Sequence, residues 1–201
     1  MNSAMGNRKV LAISASPSAT SKTARMVEAV LEELRGQKID TEHVVLRHLD
    51  PGALLSADAQ APSVAAFLEK VAAAHGLIIA TPIYKASFSG LLKAGLDVLP
   101  QFALAGKVVL PLGTGGSLAH VLALDYGLRP VFQSMGARHV VQSHYICESD
   151  FPKTGEMISL LDPLWAALRH ACENFVYSLT DDERAAMLGH PRGALPRVNS
   201  Q

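Results

Sequence analysis

Continuous apolar runs alternate along this chain with stretches whose apolar residues return every three or four positions. Val10 to Ile13, Leu77 to Ala80 and the run from Lys107 to Leu112 are of the first kind, the pattern of strands covered on both faces of a parallel sheet. Ile39 to Leu46 mixes polar with apolar residues and is expected at a sheet edge, and Arg138 to Val141 is the last expected strand. Between these runs, Val27, Val30, Leu31 and Leu34 make one helical face that Gly36 stops. Further helices are predicted from a Ser63 cap through Val71 with Gly76 as its end, from a Ser89 cap through Leu91, Leu92, Leu96 and Leu99 with Pro100 closing it, over Leu118 to Met135 with irregularities at Gly127 and Pro130, and over Ile158 to Leu179. His48 to Pro62 reads as loop. Pro82 fixes its own φ and biases Thr81 away from the helical region, so the third strand is expected to end there. These alternations predict an α/β doubly wound parallel sheet of five strands in the order 2-1-3-4-5. One domain is expected over residues 1–180, with the Pro-, Gly- and charge-rich stretch 181–201 as a mobile tail.

Composition narrows the function. Of 201 residues 49% are hydrophobic, enough for a core and a hint of self-association. Lys plus Arg number 18 against 18 Asp plus Glu, so no positive field favours a nucleic acid. Cys147 and Cys172 have no metal or redox spacing. His43, His48, His75, His139, His144, His170 and His190 are too scattered for a metal site and read as surface or capping residues. Met1 to Arg8 lacks an apolar leader region, and no run reaches the ~20 apolar residues of a membrane span, so a cytoplasmic protein is expected.

In a sheet of this order, ligands bind beyond the carboxyl ends of the strands, where the order reverses. The loops after the first, third and fourth strands converge there. The first carries Ser14, Ser16, Ser18, Thr20, Ser21 and Thr23 ahead of a helix, whose free N–H groups and partial positive charge suit a phosphate. It has neither the Gly-x-x-x-x-Gly-Lys-Ser/Thr nor the Gly-x-Gly-x-x-Gly pattern. The second presents Tyr84, an aromatic suited to a flat ligand. The third, Gly113-Thr114-Gly115-Gly116, permits close backbone approach.

These residues resemble the NAD(P)H-dependent FMN reductase family of the flavodoxin-like superfamily, and most of all the reductases that feed reduced FMN to an alkanesulfonate monooxygenase. The resemblance is carried by Ser16-Pro17 with Ser21 to Thr23, Ala80 to Ala86 with Ser89-Gly90, Gly106 to Pro111, Thr114 to His120 and Leu124 to Pro130. It covers about Val10 to His144. The chain departs from the pattern in carrying Ser18 and Ala19 where an Arg often follows the proline.

The resemblance implies that Ser16, Ser21, Lys22 and Thr23 hold the FMN phosphate. It implies that Pro82, Ile83, Tyr84 and Lys85 line the isoalloxazine, and that Thr114, Gly115, Gly116 and His120 hold its pyrimidine side. Tyr126 stands where sulfonate-linked relatives carry an inserted tyrosine in a π-bulge at a tetramer interface. No side chain acts as nucleophile; hydride passes between FMN and NADPH or NADH. Arg25, Lys85 and Arg129 are candidates to meet a donor 2′-phosphate. The expected partners are the two nucleotides, a two-component monooxygenase of sulfur metabolism and further copies of the chain, as a homotetramer or homodimer. Two alternatives stand: a quinone, azo or chromate reductase with tightly bound FMN, and a flavodoxin-type electron carrier, which this neutral chain fits poorly because flavodoxins are usually strongly acidic.

Overall fold

The computed structural model describes residues 8–153 and 156–180; the expected tail lies outside them. Its sheet is built on β1 (Lys9–Ser14), β2 (Asp40–Val45), β3 (Gly76–Tyr84) and β5 (Val108–Gly115), with three two- to four-residue strands: β4 (Ser87–Phe88), β6 (His139–Val140) and β7 (His144–Cys147). The order is β2-β1-β3-β5-β6, with β7 also beside β5 and β4 folded back on β3. The last expected strand is thus divided in two: β6 pairs with Val108 and Val109, and β7 resumes against Leu112 to Gly115. The flavodoxin-like order survives that division, and β2 holds the expected edge.

Alternation within the central strands sorts side chains into two layers. Val10, Ala12, Ile78, Ala80 and Leu110 face α1 (Lys22–Gly36) and α6 (Ala166–Thr180), where Met26, Leu31, Leu168 and Phe175 are fully covered. Leu11, Ile13, Leu77, Ile79 and Val109 face α2 (Pro51–Leu55), α3 (Pro62–Ala73), α4 (Gly90–Asp97) and α5 (Arg129–Ser134). No helix among the described residues is long and apolar enough to cross a membrane.

Several expected boundaries move, each for a local reason. The stretch expected to be loop contains α2, because the Asp50 side chain accepts from Ala53 N and Pro51 opens the first turn. Ser63 is not a cap: α3 begins one residue earlier, and the Ser63 hydroxyl accepts from Asp50 N instead. Pro82 does not end β3. Beyond Ala80 the β1 side of β3 has no partner strand, so a residue without an N–H costs no ladder bond there. β5 likewise runs through Gly115 rather than breaking at Gly113, because β7 pairs with it that far. The predicted helix over Leu118 to Met135 is three pieces: a 3₁₀ turn at Leu118–His120, a π-helix at Leu124–Leu128, and α5. The last helix starts later than expected, after a turn at Pro163–Trp165 capped by the Asp162 side chain.

Candidate functional site

The three loops at the carboxyl ends of β1, β3 and β5 are tied to one another by buried hydrogen bonds. Thr23 Oγ1 and Thr114 Oγ1 lie 2.7 Å apart, joining the start of α1 to the end of β5. Ser89 Oγ donates to Ala15 O at 2.7 Å and accepts from Leu92 N at 3.1 Å, so one hydroxyl caps α4 and pins the β1 loop. Ser89 N donates to Thr81 Oγ1 at 3.0 Å, which adds β3 to the same knot.

At the first loop, Ser21 is the N-cap of α1, accepting from Ala24 N at 3.0 Å, and Arg25 N donates to Ser21 O. The Lys22 and Thr23 amides have no such partner among the described residues and remain available, as the first turn of a helix requires. Ser16 Oγ accepts from Ser18 N and Ser18 Oγ from Thr20 N, so the loop wires itself through its own hydroxyls. The Ser16 and Ser21 protons stay free to donate. The Lys22 side chain is committed elsewhere: Nζ donates to Glu148 O at 2.9 Å and lies 3.5 Å from the Glu148 carboxylate. What Lys22 leaves available at this loop is its amide.

At the third strand, Ile83 and Tyr84 pair with Phe88 and Ser87 in a tight antiparallel hairpin. Lys85 and Ala86 form its turn at φ 50° and 61°, the left-handed pair that a two-residue hairpin demands. Pro82 and Ile83 are buried, Ile83 within the core, whereas Tyr84, 47% exposed, and Lys85 are open to solvent. At the fifth strand, Thr114 is spent largely on Thr23, while the Gly116 backbone is open. The His120 Nδ1 atom is buried with no hydrogen-bond partner. An orphaned ring nitrogen beside a glycine loop fits a missing polar ligand, and with the free α1 amides and the exposed Tyr84 ring it passes the fit for FMN.

Three features of the site had no clear signal in the sequence. The Tyr145 hydroxyl donates to Ser117 O at 2.9 Å and clamps the glycine loop from β7, and burial pushes its phenol above the ordinary tyrosine value, keeping it a donor. A Cβ on Gly115 would strike that hydroxyl, and one on Gly113 would meet Leu124 Cδ1 at 2.9 Å, so both glycines answer to neighbours rather than to a ligand alone. His43 is more than a surface residue: Nε2 lies 2.9 Å from Ser14 Oγ and Nδ1 2.5 Å from Glu28 Oε1, bridging β1, β2 and α1. The Asp125 carboxylate accepts from Arg129 and from Ser143 Oγ, while Arg129 also donates to the Val140 and Val141 carbonyls, fixing the π-helix to the β6–β7 connection. Arg25 donates to the Pro152, Lys153 and Glu156 carbonyls. Two of the three cations suggested for a 2′-phosphate, Arg25 and Arg129, are thus structural; Lys85 alone stays exposed.

Comparison with known proteins agrees with this geometry. Residues 8–151 match the sequence profile of the family described as NADPH-dependent FMN reductase. The chain is 37% identical over 191 residues to an FMN reductase (NADPH) of Pseudomonas putida, covering 94% of this chain and 93% of that one. It is 41% identical over 141 residues to an FMN reductase (NADPH) of Escherichia coli, covering 70% and 74%. The apo crystal structure of an NADH:FMN oxidoreductase, EMOB, superposes with a TM-score of 0.82 at 48% identity, over 92% of this chain and 97% of that one.

Proposed function

Because this chain belongs to the NADPH-dependent FMN reductase family, we propose that it seats FMN across the β1, β3 and β5 loops and supplies the reduced flavin to a two-component sulfonate monooxygenase. It is an NAD(P)H-dependent oxidoreductase of flavin. The observation that supports this reading is the tying of the three loops by Thr23–Thr114 and Ser89–Ala15, with the α1 amides, the Tyr84 ring and His120 Nδ1 unspent on these loops.

FMN, when bound, supplies the hydride acceptor. The protein positions and tunes. The Lys22 and Thr23 amides and the Ser16 and Ser21 hydroxyls hold the phosphate without a committed cation. Tyr84 and the Lys85 hairpin form one wall for the flat ring and leave its outer face open to a nicotinamide. His120 Nδ1 and the Gly115–Gly116 backbone meet the polar ring edge. With Lys22 and Arg25 both spent on carbonyls, the phosphate grip is weak in charge, which favours release of the product flavin over permanent retention.

Self-association fits the same reading. The π-helix presents Tyr126 at 79% exposure, with Leu122 and Leu118 also exposed nearby. π-Bulges concentrate at functional sites, and an exposed apolar patch marks a contact surface. We assign it to the interface of a homotetramer or homodimer.

The deciding measurement is NADPH and NADH oxidation with and without added FMN, FAD and riboflavin. A free-flavin reductase shows saturation in FMN and loses flavin on dialysis. Stoichiometric flavin surviving dialysis, with turnover responding to quinone alone, selects the quinone-reductase alternative. Tyr126→Ala is expected to reduce the oligomer size in sedimentation; unchanged size and unchanged flavin retention remove the interface assignment.

A further inference from the structure

A cavity of about 760 Å³ opens on the flank of α1 and meets the phosphate loop at Thr20 and Ser21. It does not lie over the Tyr84 hairpin. Its lining also includes the residues just after β2, Arg47 and His48. Its volume falls in the range of small-molecule sites, and its lining mixes apolar residues, among them Val45, Phe151 and Met157, with charged ones.

The charges around it separate into those already spent and those that are not. Lys22 and Arg25 are held by backbone carbonyls. Glu28 is held by His43 and Arg35, and Glu156 Oε2 accepts from Lys153 N. The side chains of Arg47, His48, Glu32 and Lys153 make no hydrogen bond or ion pair among the described residues. Three unspent donors and one unspent carboxylate therefore share this lining with apolar residues.

We propose that this cavity seats the adenosine half of the nicotinamide donor, with Arg47 binding a ribose 2′-phosphate. The proposal rests on the reductase reading above and extends it. A nicotinamide stacked at the open face beyond Tyr84 leaves the rest of the donor two exits: past Lys85, or across the phosphate loop. The second leads toward this cavity, whose lining offers Val45, Phe151 and Met157 as apolar contacts for adenine. Glu32 is an acceptor suited to a ribose hydroxyl, and an arginine is the residue type that reads a phosphate through a two-pronged contact. In dinucleotide-binding doubly wound folds, too, an arginine near the second strand takes the 2′-phosphate of the donor.

The test uses the whole protein and two readouts. Calorimetric titration with adenosine 2′,5′-bisphosphate and with 5′-AMP, in the absence of flavin, reads the cavity without turnover. The bisphosphate is expected to bind the wild type more tightly, Arg47→Gln to weaken it roughly tenfold with little change for 5′-AMP, and Arg47→Lys to recover part of the loss. In steady state Arg47→Gln is expected to raise KM for NADPH by a similar factor, with KM for NADH and FMN unchanged, and Lys85→Gln to leave the NADPH-to-NADH ratio alone. Equal binding of the two adenylates, an unmoved ratio in Arg47→Gln, or a ratio moved by Lys85→Gln overturns the proposal. Absence of any FMN-dependent oxidation in the wild type refutes the reductase reading instead, while the titration still reports on the cavity.

Discussion

Thr23 and Thr114 place their hydroxyls 2.7 Å apart, each residue 2% exposed, although 91 positions separate them in sequence. One donates and the other accepts, so the α1 start and the β5 end are held in fixed relation before any ligand arrives. Preorganisation of this kind lowers the ordering cost of binding.

Thr114→Val keeps the shape but leaves the Thr23 hydroxyl buried and alone. A loss of about 1–3 kcal/mol in stability follows, seen as a lower urea midpoint. The Thr23→Val, Thr114→Val double variant removes both partners and should recover most of that loss, since replacing a whole buried pair by apolar groups is nearly neutral. If the bond also aligns the site, FMN affinity stays weakened by roughly fivefold in the double variant even though stability returns. Recovery of both quantities together would show that the pair serves stability alone.

Ser89→Ala loses the cap of α4 and the bond to Ala15 O in one step. Removing an N-cap costs about 0.5–2 kcal/mol, and the orphaned Ala15 carbonyl and Ser89–Thr81 contact bring the expected total to about 2 kcal/mol or more. Ser89→Thr keeps the hydroxyl and should fall between. A drop below about 0.5 kcal/mol in equilibrium unfolding would mean the knot is not holding the loop.

Gly115→Ala drives a methyl group into the Tyr145 hydroxyl. Either the clamp on Ser117 O breaks or β5 and β7 part. The expectation is a large loss of FMN affinity with a clear loss of stability. Tyr145→Phe removes the oxygen that is struck, so the double variant should regain stability relative to Gly115→Ala. It should not regain full flavin binding, because the bond from residue 145 to Ser117 O is gone. Fluorescence titration with FMN and thermal unfolding of the four proteins separate these effects.

How far the chain's own sequence announces this site differs from loop to loop. The apolar runs at Val10, Leu77 and Val108 mark the central strands because burial on both faces leaves no other pattern open to them. The strand order then brings the correct three loops together. The Ser89 cap was legible, since it sits directly ahead of an amphipathic run; its reach to Ala15 O was not, because that contact spans 74 positions. The helix start at Lys22 was legible but the partner of its side chain was not, because tertiary packing brings the Glu148 carbonyl to it from 126 positions away. Tyr145 and His43 gave no signal, since each acts through partners that local patterning cannot place. Pro82 misled, as its strand continues where a neighbouring strand has already ended.

The last prediction concerns acid. His75 Nδ1 accepts the Lys9 amide at 3.1 Å, and burial, with Arg8 and Lys107 nearby, holds this histidine below its ordinary value of 6.5. Burial alone lowers His144, at the start of β7. In both, the unfolded chain takes up a proton more readily than the folded one. Stability therefore rises with pH through this range and is lost as pH falls below about 6.5, where the unfolded histidines begin to charge. Protonation of His75 also removes the acceptor for Lys9 N, at the point where β1 enters the sheet beside β3. Thermal midpoints measured from pH 7.5 to 5 should decline, and the decline should be shallower in His75→Gln, whose side-chain amide oxygen can accept the same bond without titrating. An equal slope in the variant would assign the acid sensitivity to His144 and the carboxylates instead.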